Sequence, residues 1–399
     1  MRRGLVIGGG GTLGAAWSVG ALSAVEEALD WDARTATVIV GSGSGAEIAA
    51  VLGASFTTQD MVNALSGSPL APRVLAEQFA AERRLLPSLP IPAPSSIGLA
   101  VAGLRRRVPA QSAISGLLPV GTGSFDRVVD FGRTLSRLST GTADGWVPHP
   151  ATWVVAADRR NGRRVPLGFR GAPKTDLGVA LAAASARPGW FPPVRIGDRA
   201  YVEASVASPT SSDLVLPLGL DEVVVIAPTS SRDAGVGFGI SMLERIFRRG
   251  TTMRVDLEES VLQADGTLVI RVEPGPDDLA AMGVNPMDHR RRREVLLTSL
   301  STSRERVARA IQRSGIGVYS PTISRNDAPQ TAALETPAQP QRALTVGPLL
   351  VEEPAEGEPE YVDATPREVE AFSPPPPAPP QPTVWQRLLR WFGAGRPAA

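Results

Sequence analysis

The sequence has 399 residues, of which 43% are hydrophobic and 20% are charged, and its formal net charge is +1. This composition is typical of a globular protein with a hydrophobic core, and the balanced charge argues against a broad nucleic-acid-binding surface. Without cysteine, disulfides, thiol catalysis and cysteine-ligated metals are excluded. The two histidines, His149 and His289, have no ligand spacing around them. We expect each to be a surface or turn residue, and we expect no metal and no cofactor.

The start of the chain, with two arginines before Leu5-Val6-Ile7, superficially resembles a secretory signal peptide. Four glycines at positions 8–11 interrupt the apolar run at once, and no small-residue cleavage site follows. No segment reaches the roughly 18–20 consecutive apolar residues of a membrane-spanning helix. We therefore expect a cytoplasmic protein. Its many Ala, Arg, Gly and Pro residues and few Lys suggest a bacterium with a GC-rich genome.

Strand and helix patterns alternate over residues 4–65. The apolar runs predict strands at 5–7 and 36–40, and helices are predicted at 14–29 and from about 45. Such alternation predicts a parallel sheet that is covered by helices.

A glycine-rich loop from Gly8 to Gly14 joins the first strand to the first helix. Its residues Gly9, Gly11 and Gly14 fit the dinucleotide-binding pattern G-x-G-x-x-G. That function also needs an acidic residue at the end of the second strand, which instead runs into Gly41-Ser42-Gly43. The alternatives are an oxyanion hole, in which glycine N–H groups at a helix N-terminus stabilise a developing negative charge, and a tight turn without a ligand. The motif and its context favour the oxyanion hole.

The second strand leads into the segment Gly41-Ser42-Gly43-Ser44-Gly45, followed by a helix-compatible stretch. This is the strand–turn–helix context in which the hydrolase motif G-x-S-x-G presents a nucleophilic serine. The frame set by Gly41 and Gly45 puts Gly43 where that serine should be. The fold signal is therefore intact, while the nucleophile is missing.

The remaining segments follow in chain order. Residues 66–140 contain many prolines and short apolar pieces among arginines, which predicts a cap or lid-like insert with short helices. Further elements are predicted as buried strands at Trp153–Ala157, Val223–Ala227 and Leu268–Val272, a helix at 175–187 that stops at Pro188, and a basic, solvent-exposed helix at 288–313.

The C-terminal part changes character. Residues 321–382 are rich in Pro, Ala and Glu and cannot bury enough apolar surface to offset their ordering entropy, which predicts a disordered linker. Residues 383–399 are apolar and basic, and their candidate anchor residues are Trp385, Leu388, Leu389, Trp391 and Phe392. Such a short amphipathic segment on a long tether suits a membrane surface or the groove of a protein partner. The alternative is a tail that packs back on its own domain.

Four ordered segments together resemble the patatin-like phospholipase family: the glycine loop, the elbow, Ala183–Val194 and Ala200–Pro209. The resemblance covers about residues 4–310 apart from the insert. It implies an α/β fold over residues 1–320, a three-layer sandwich with a mainly parallel central sheet, helices on both faces and a helical insert. It also implies a Ser–Asp dyad that hydrolyses acyl esters of lipids, which explains how a hydrolase fold manages with two histidines.

Carried onto this sequence, the family's chemical positions depart from the pattern. The oxyanion loop corresponds to Gly8, Gly9, Gly10, Gly11 and Gly14, with Leu13 where many relatives carry a basic residue. The nucleophile position is Gly43, which cannot form an acyl-enzyme. The aspartate position is Glu203, whose carboxylate lies one methylene further out, about 1.5 Å. We therefore expect a catalytically impaired patatin-fold protein of lipid metabolism, which binds a lipid, a fatty-acyl group or a protein partner, and no nucleic acid.

An active hydrolase remains the alternative. Ser42 and Ser44 flank the vacant position, and a shifted turn would present one of them to Glu203 over the glycine loop. The other role of these serines is backbone hydrogen bonding and helix capping. Two further alternatives are water activated by Glu203 and a scaffold whose tail does the main work. A serine hydroxyl within hydrogen-bond reach of Glu203 would favour the active hydrolase.

Overall fold

The computed structural model describes residues 1–80, 91–94, 118–139, 145–232 and 242–314. In chain order the strands and helices are β1 Arg3–Ile7, α1 Gly11–Leu29, β2 Val38–Ser42, α2 Ser44–Gly53, α3 Thr58–Ser66, α4 Arg73–Ala80, β3 Ile91–Pro94, β4 Pro119–Val120, α5 Asp126–Leu138, β5 Thr152–Asp158, β6 Arg164–Leu167, α6 Leu177–Ala184, β7 Val194–Ile196, β8 Arg199–Glu203, β9 Glu222–Ile226, α7 Met242–Ala264, β10 Leu268–Val272, α8 Pro276–Met282 and α9 Arg292–Arg313. The expected linker 321–382, the segment 383–399 and much of the expected insert lie outside the described residues.

The central sheet has eight strands in the order β10-β9-β1-β2-β5-β8-β7, with β6 paired to β5 outside this path. Strands β10, β9, β1, β2 and β5 run parallel, and β6, β7 and β8 add antiparallel pairs. The mainly parallel sheet predicted from the sequence is confirmed.

The register of β5 explains how the site is assembled. On β5, Val155 pairs with Ser42 of β2, and the next residue, Ala156, pairs with Glu203 of β8. Strand β6 overlaps with both partners along β5 and therefore occupies the opposite edge. Strands β2 and β8 thus share one edge of β5, and their C-terminal ends meet there.

Two apolar layers enclose the sheet, because successive strand residues point to opposite faces. On β1, Leu5 and Ile7 join the cluster that includes Trp17 of α1. Val6 joins the cluster that includes Leu262 of α7. Helices on both faces of the sheet produce the expected three-layer sandwich. Across the described part of the chain, no helix is both long enough and apolar enough to span a bilayer.

The basic C-terminal helix differs from its prediction. It begins at Arg292, after a 3-10 turn at His289–Arg291. The expectation of a solvent-exposed helix was wrong, because one face of α9 is buried and the helix packs against α1. The buried face consists of Val295, Leu296, Ser299, Ser303, Val307 and Ala310. These small and apolar residues recur at helical spacing between the arginines.

Several element boundaries also shifted. The strand expected at 36–40 lies at Val38–Ser42, and the helix expected from residue 14 begins at Gly11. The helix expected at 175–187 is the shorter α6, which has Asp176 as its N-cap. Glycine-rich and alanine-rich flanks carry little periodic signal, so the pattern alone could not fix these ends.

Candidate active site

Gly43 forms the sharp turn between β2 and α2. Its backbone has φ +55° and ψ −127°, a conformation that residues with a side chain adopt only under strain. A Cβ built on Gly43 would lie 2.5 Å from Glu203 Oε1 and 3.1 Å from Gly9 Cα. A side chain here would therefore point at the carboxylate and the glycine loop. The structure brings Gly43, Glu203 and Gly9 together.

Glu203 ends β8, and 1% of its surface is exposed. Arg187 binds its carboxylate with two hydrogen bonds, from Nε to Oε2 at 2.8 Å and from Nη2 to Oε1 at 3.0 Å. Such a bidentate, charge-assisted pair is among the stronger polar contacts in proteins. The negative charge of Glu203 raises the pKa of the Arg187 guanidinium. Both oxygens of the carboxylate are therefore engaged by a fixed cation.

Sequence reasoning missed Arg187. It lies within the segment Ala183–Val194, whose likeness to the family assigned no role to this arginine. The available signal was an arginine directly after an alanine-rich, apolar helix and before Pro188. A charged side chain in such a buried setting generally needs a partner.

The backbone N–H groups of the glycine loop that precedes α1 donate to acceptors within the protein. Its internal hydrogen bonds run from Gly8 N–H to Ile226 O at 2.9 Å, from Gly9 N–H to Pro209 O at 3.2 Å and from Gly10 N–H to Ser44 Oγ at 3.1 Å. Gly14 N–H donates to Gly10 O at 3.0 Å within the first turn of α1. Gly11 begins α1 with φ +66°. The loop lies at the expected place, but the amides of residues 8–10 already have acceptors.

Both serines beside Gly43 bond to backbone groups. Ser42, which is fully buried, donates from Oγ to Thr210 O at 3.3 Å. Ser44 Oγ accepts the Gly10 N–H, which places this serine against the glycine loop. Among the described residues, Arg187 donates hydrogen bonds to the Glu203 carboxylate, and neither serine does.

A buried carboxylate braces the site from the opposite face of the sheet. Glu258 of α7 accepts hydrogen bonds from Ser208 Oγ at 2.5 Å, Thr210 Oγ1 at 2.6 Å and Ser212 N–H at 3.2 Å. The same loop supplies the carbonyls that accept from Gly9 and Ser42. Glu258 therefore fixes the backbone that supports both the glycine loop and the elbow.

A short segment after α8 covers the glycine loop. Pro286 O accepts the Leu13 N–H at 3.0 Å. The buried Met287 places its Sδ 3.7 Å from Arg187 Nη1 and 3.0 Å from a Cβ built on Gly11. Met287 thus lies between the N-terminus of α1 and the ion pair.

The other predicted residues lie elsewhere. His149 is a half-buried turn residue whose Nε2 bonds Ala36 O at 2.8 Å, and burial lowers its pKa. Its Nδ1 accepts the Ala151 N–H at 3.3 Å, so the neutral imidazole carries its proton on Nε2. His289 lies in the 3-10 turn before α9. The candidate anchor residues Trp385, Leu388, Leu389, Trp391 and Phe392 lie outside the described residues.

The family model of patatin-like phospholipases matches residues 5–214. This range includes the glycine loop, the elbow, Arg187 and Glu203. Because the match covers more than half of the sequence, the chain belongs to the patatin-like phospholipase family. Its domain is therefore of the lipid-hydrolase type.

Two solved structures are similar to the chain. VipD from Legionella pneumophila has 11% sequence identity and a TM-score of 0.32, with 77% of this chain and 67% of VipD covered. The type III effector protein ExoU has 18% identity and a TM-score of 0.29, with 77% and 53% covered, so the chain spans about half of that protein. The search among curated proteins gave no match.

Proposed function

We propose that this chain is a non-hydrolytic patatin-like protein of lipid metabolism that acts by binding a lipid or a fatty-acyl group. One observation carries the proposal. The place that a nucleophilic side chain would take is filled by the carboxylate of Glu203, 2.5 Å from a Cβ built on Gly43. The longer acid and the missing serine are thus two parts of one change.

The chemistry of the site supports the absence of ester hydrolysis. Removing the nucleophile of a serine hydrolase costs on the order of a millionfold in kcat. A general base must also reach the proton it abstracts, and both oxygens of Glu203 are bound by Arg187. An oxyanion hole needs donors aimed at the developing charge, whereas Gly8, Gly9 and Gly10 donate to internal acceptors.

The location and partners of the protein are part of the proposal. We place it in the bacterial cytoplasm, where segment 383–399 would hold it at the inner face of the membrane or on a protein partner. The Trp and Arg content of that segment supports this placement. Deleting residues 383–399 should release the protein from membranes, and an unchanged distribution would remove this part of the proposal.

An esterase assay tests the central part of the proposal, which is the absence of ester hydrolysis. The purified full chain is given p-nitrophenyl esters and phospholipid vesicles, beside Ser42→Ala and Ser44→Ala. We expect no hydrolysis above that of buffer for any of them. Hydrolysis that either serine variant abolishes would instead establish the active divergent hydrolase. Hydrolysis that survives both variants but is lost in Glu203→Gln would assign the reaction to activated water.

A further inference from the structure

Arg187 has donor capacity that Glu203 does not use. A guanidinium presents five N–H donors, and the pair with Glu203 occupies Nε and Nη2. The acceptor of Nη1 is the thioether of Met287 at 3.7 Å, and a thioether is a weak acceptor. The Arg187 side chain is 28% exposed. The Nη1 edge of the Arg187 guanidinium therefore faces a sulfur atom rather than an oxygen acceptor.

The other neighbour of this sulfur is the N-terminus of α1. Met287 Sδ lies 3.0 Å from a Cβ built on Gly11, the first residue of this 19-residue helix. Thr12, the next residue, carries a buried hydroxyl that has no hydrogen-bond partner in the described part of the protein. The N-terminus of a helix attracts negative charge. Met287 thus separates two groups that favour an anion.

An apolar surface begins directly beyond the cation. The N–H groups of Trp190 and Phe191 donate to Arg187 O at 3.1 and 3.0 Å, so both aromatic residues belong to the turn that Arg187 opens. Phe191 stacks on Phe125 with ring centroids 5.0 Å apart. Leu118 is 41% exposed, and its Cδ1 lies 4.0 Å from a Cβ built on Gly189 in the same turn. A cation at the head of an apolar strip suits an anion that carries an acyl chain.

We propose that Met287 is a displaceable cover over an anion-binding position between Gly11 and Arg187, and that a fatty-acid carboxylate binds there. Its chain would lie along Trp190 and Phe191. The inference rests on the proposed function and names the ligand class and the residues that receive it. The negative charge of Glu203 opposes a second carboxylate, so the free N–H donors of Arg187 and the α1 terminus must offset that repulsion.

The proposal requires the backbone around Met287 to move. Gly283, four residues before it, has φ +63°, a conformation that favours glycine. Val284 is 63% exposed and therefore makes few contacts that would hold the segment. A backbone hydrogen bond from Leu13 N–H to Pro286 O joins the segment to the glycine loop. A rotation near Gly283 would withdraw the sulfur from both anion-binding groups.

Calorimetric titration of the purified full chain tests the inference. The probes are decanoate, decanol as the uncharged chain, and acetate as the carboxylate without a chain. We expect binding of decanoate and clearly weaker binding of the other two. Met287→Ala, which removes the cover, should bind decanoate about tenfold more tightly, because the ligand no longer displaces a buried side chain. Met287→Leu preserves the bulk of the cover and should stay within about twofold of the unchanged protein.

Methyl NMR supplies a readout that does not depend on affinity. The chain has six methionines, and the signal lost in Met287→Leu identifies Met287. That signal should shift on addition of decanoate and stay unchanged with acetate. Three results would overturn the inference: a Met287 methyl signal that does not shift with decanoate, equal binding of decanoate by Met287→Ala and the unchanged protein, or binding of decanol as tight as that of decanoate. Ester hydrolysis is measured in a separate assay. Its appearance would overturn the proposed function, whereas the decanoate titration would still decide the inference about Met287.

Discussion

Restoring a serine at the elbow should destabilise the protein unless Glu203 is shortened at the same time. In Gly43→Ser the new Cβ would lie 2.5 Å from Glu203 Oε1, closer than two such atoms can approach. The carboxylate must then move away from Arg187. The overpacking costs about 1–3 kcal/mol, and a side chain at φ +55° adds about 1–3 kcal/mol of backbone strain.

We therefore expect Gly43→Ser to lower the free energy of unfolding by about 2–6 kcal/mol. Glu203→Asp alone should cost about 1–3 kcal/mol, because it leaves a small void and loosens a buried ion pair. In the double variant the serine hydroxyl takes the place of the lost methylene. Its destabilisation should be smaller than the sum of the two single changes by about 1–3 kcal/mol.

Urea unfolding followed by circular dichroism measures this double-mutant cycle, and the esterase assay on the same four proteins measures any gain of chemistry. Any gain of hydrolysis should be confined to the double variant, since only there do a nucleophile and a carboxylate of family length coincide. The reasoning is refuted if Gly43→Ser is as stable as the unchanged protein. It is equally refuted if the two substitutions are additive.

Three further predictions test other parts of the structure. Because burial lowers the pKa of His149 in the folded protein, the unfolded chain binds the proton first, and stability is lost as the pH falls below about 6.5. His149→Gln should reduce this loss of stability in urea unfolding measured at several pH values. An equal dependence on pH in both proteins would contradict the expectation. Glu258→Gln should cost about 1.5–3 kcal/mol in urea unfolding, whereas Glu305→Gln on the exposed face of α9 should leave stability nearly unchanged, so similar losses in both variants would contradict the supporting role of Glu258. Ser44→Ala leaves the buried Gly10 N–H without its acceptor and should cost about 1–3 kcal/mol; unchanged thermal unfolding would show that this hydrogen bond is dispensable.

The sequence was most informative where the signal is local. The glycine loop and the elbow are each encoded within one strand–turn–helix unit, so the positions of Gly9 and Gly43 could be predicted to the residue. The strand at Leu268–Val272 was predicted with its observed ends, because four of its five positions are apolar and polar residues flank it. Burial on both faces of a sheet favours such a mostly apolar segment.

Contacts between distant segments could not be predicted. The pair of Arg187 with Glu203 depends on how the turn after α6 packs against the end of β8, where the Glu203 N–H donates to Ala186 O, and no short pattern encodes this contact. Met287 reaches Arg187 from 100 residues away. Glu258 lies on α7, a helix that was not predicted because arginines and glutamates interrupt its apolar residues. The residues that close the site therefore became visible only in the fold.

The central claim is that the nucleophile position is filled by a carboxylate and that no serine has replaced it. A fluorophosphonate probe, followed by intact-mass measurement and peptide mapping, tests this most directly, because it labels an activated serine whatever the substrate. We predict no label on the unchanged protein, and a label at position 43 of the double variant that combines Gly43→Ser with Glu203→Asp. A label on Ser42 or Ser44 of the unchanged protein would contradict the claim.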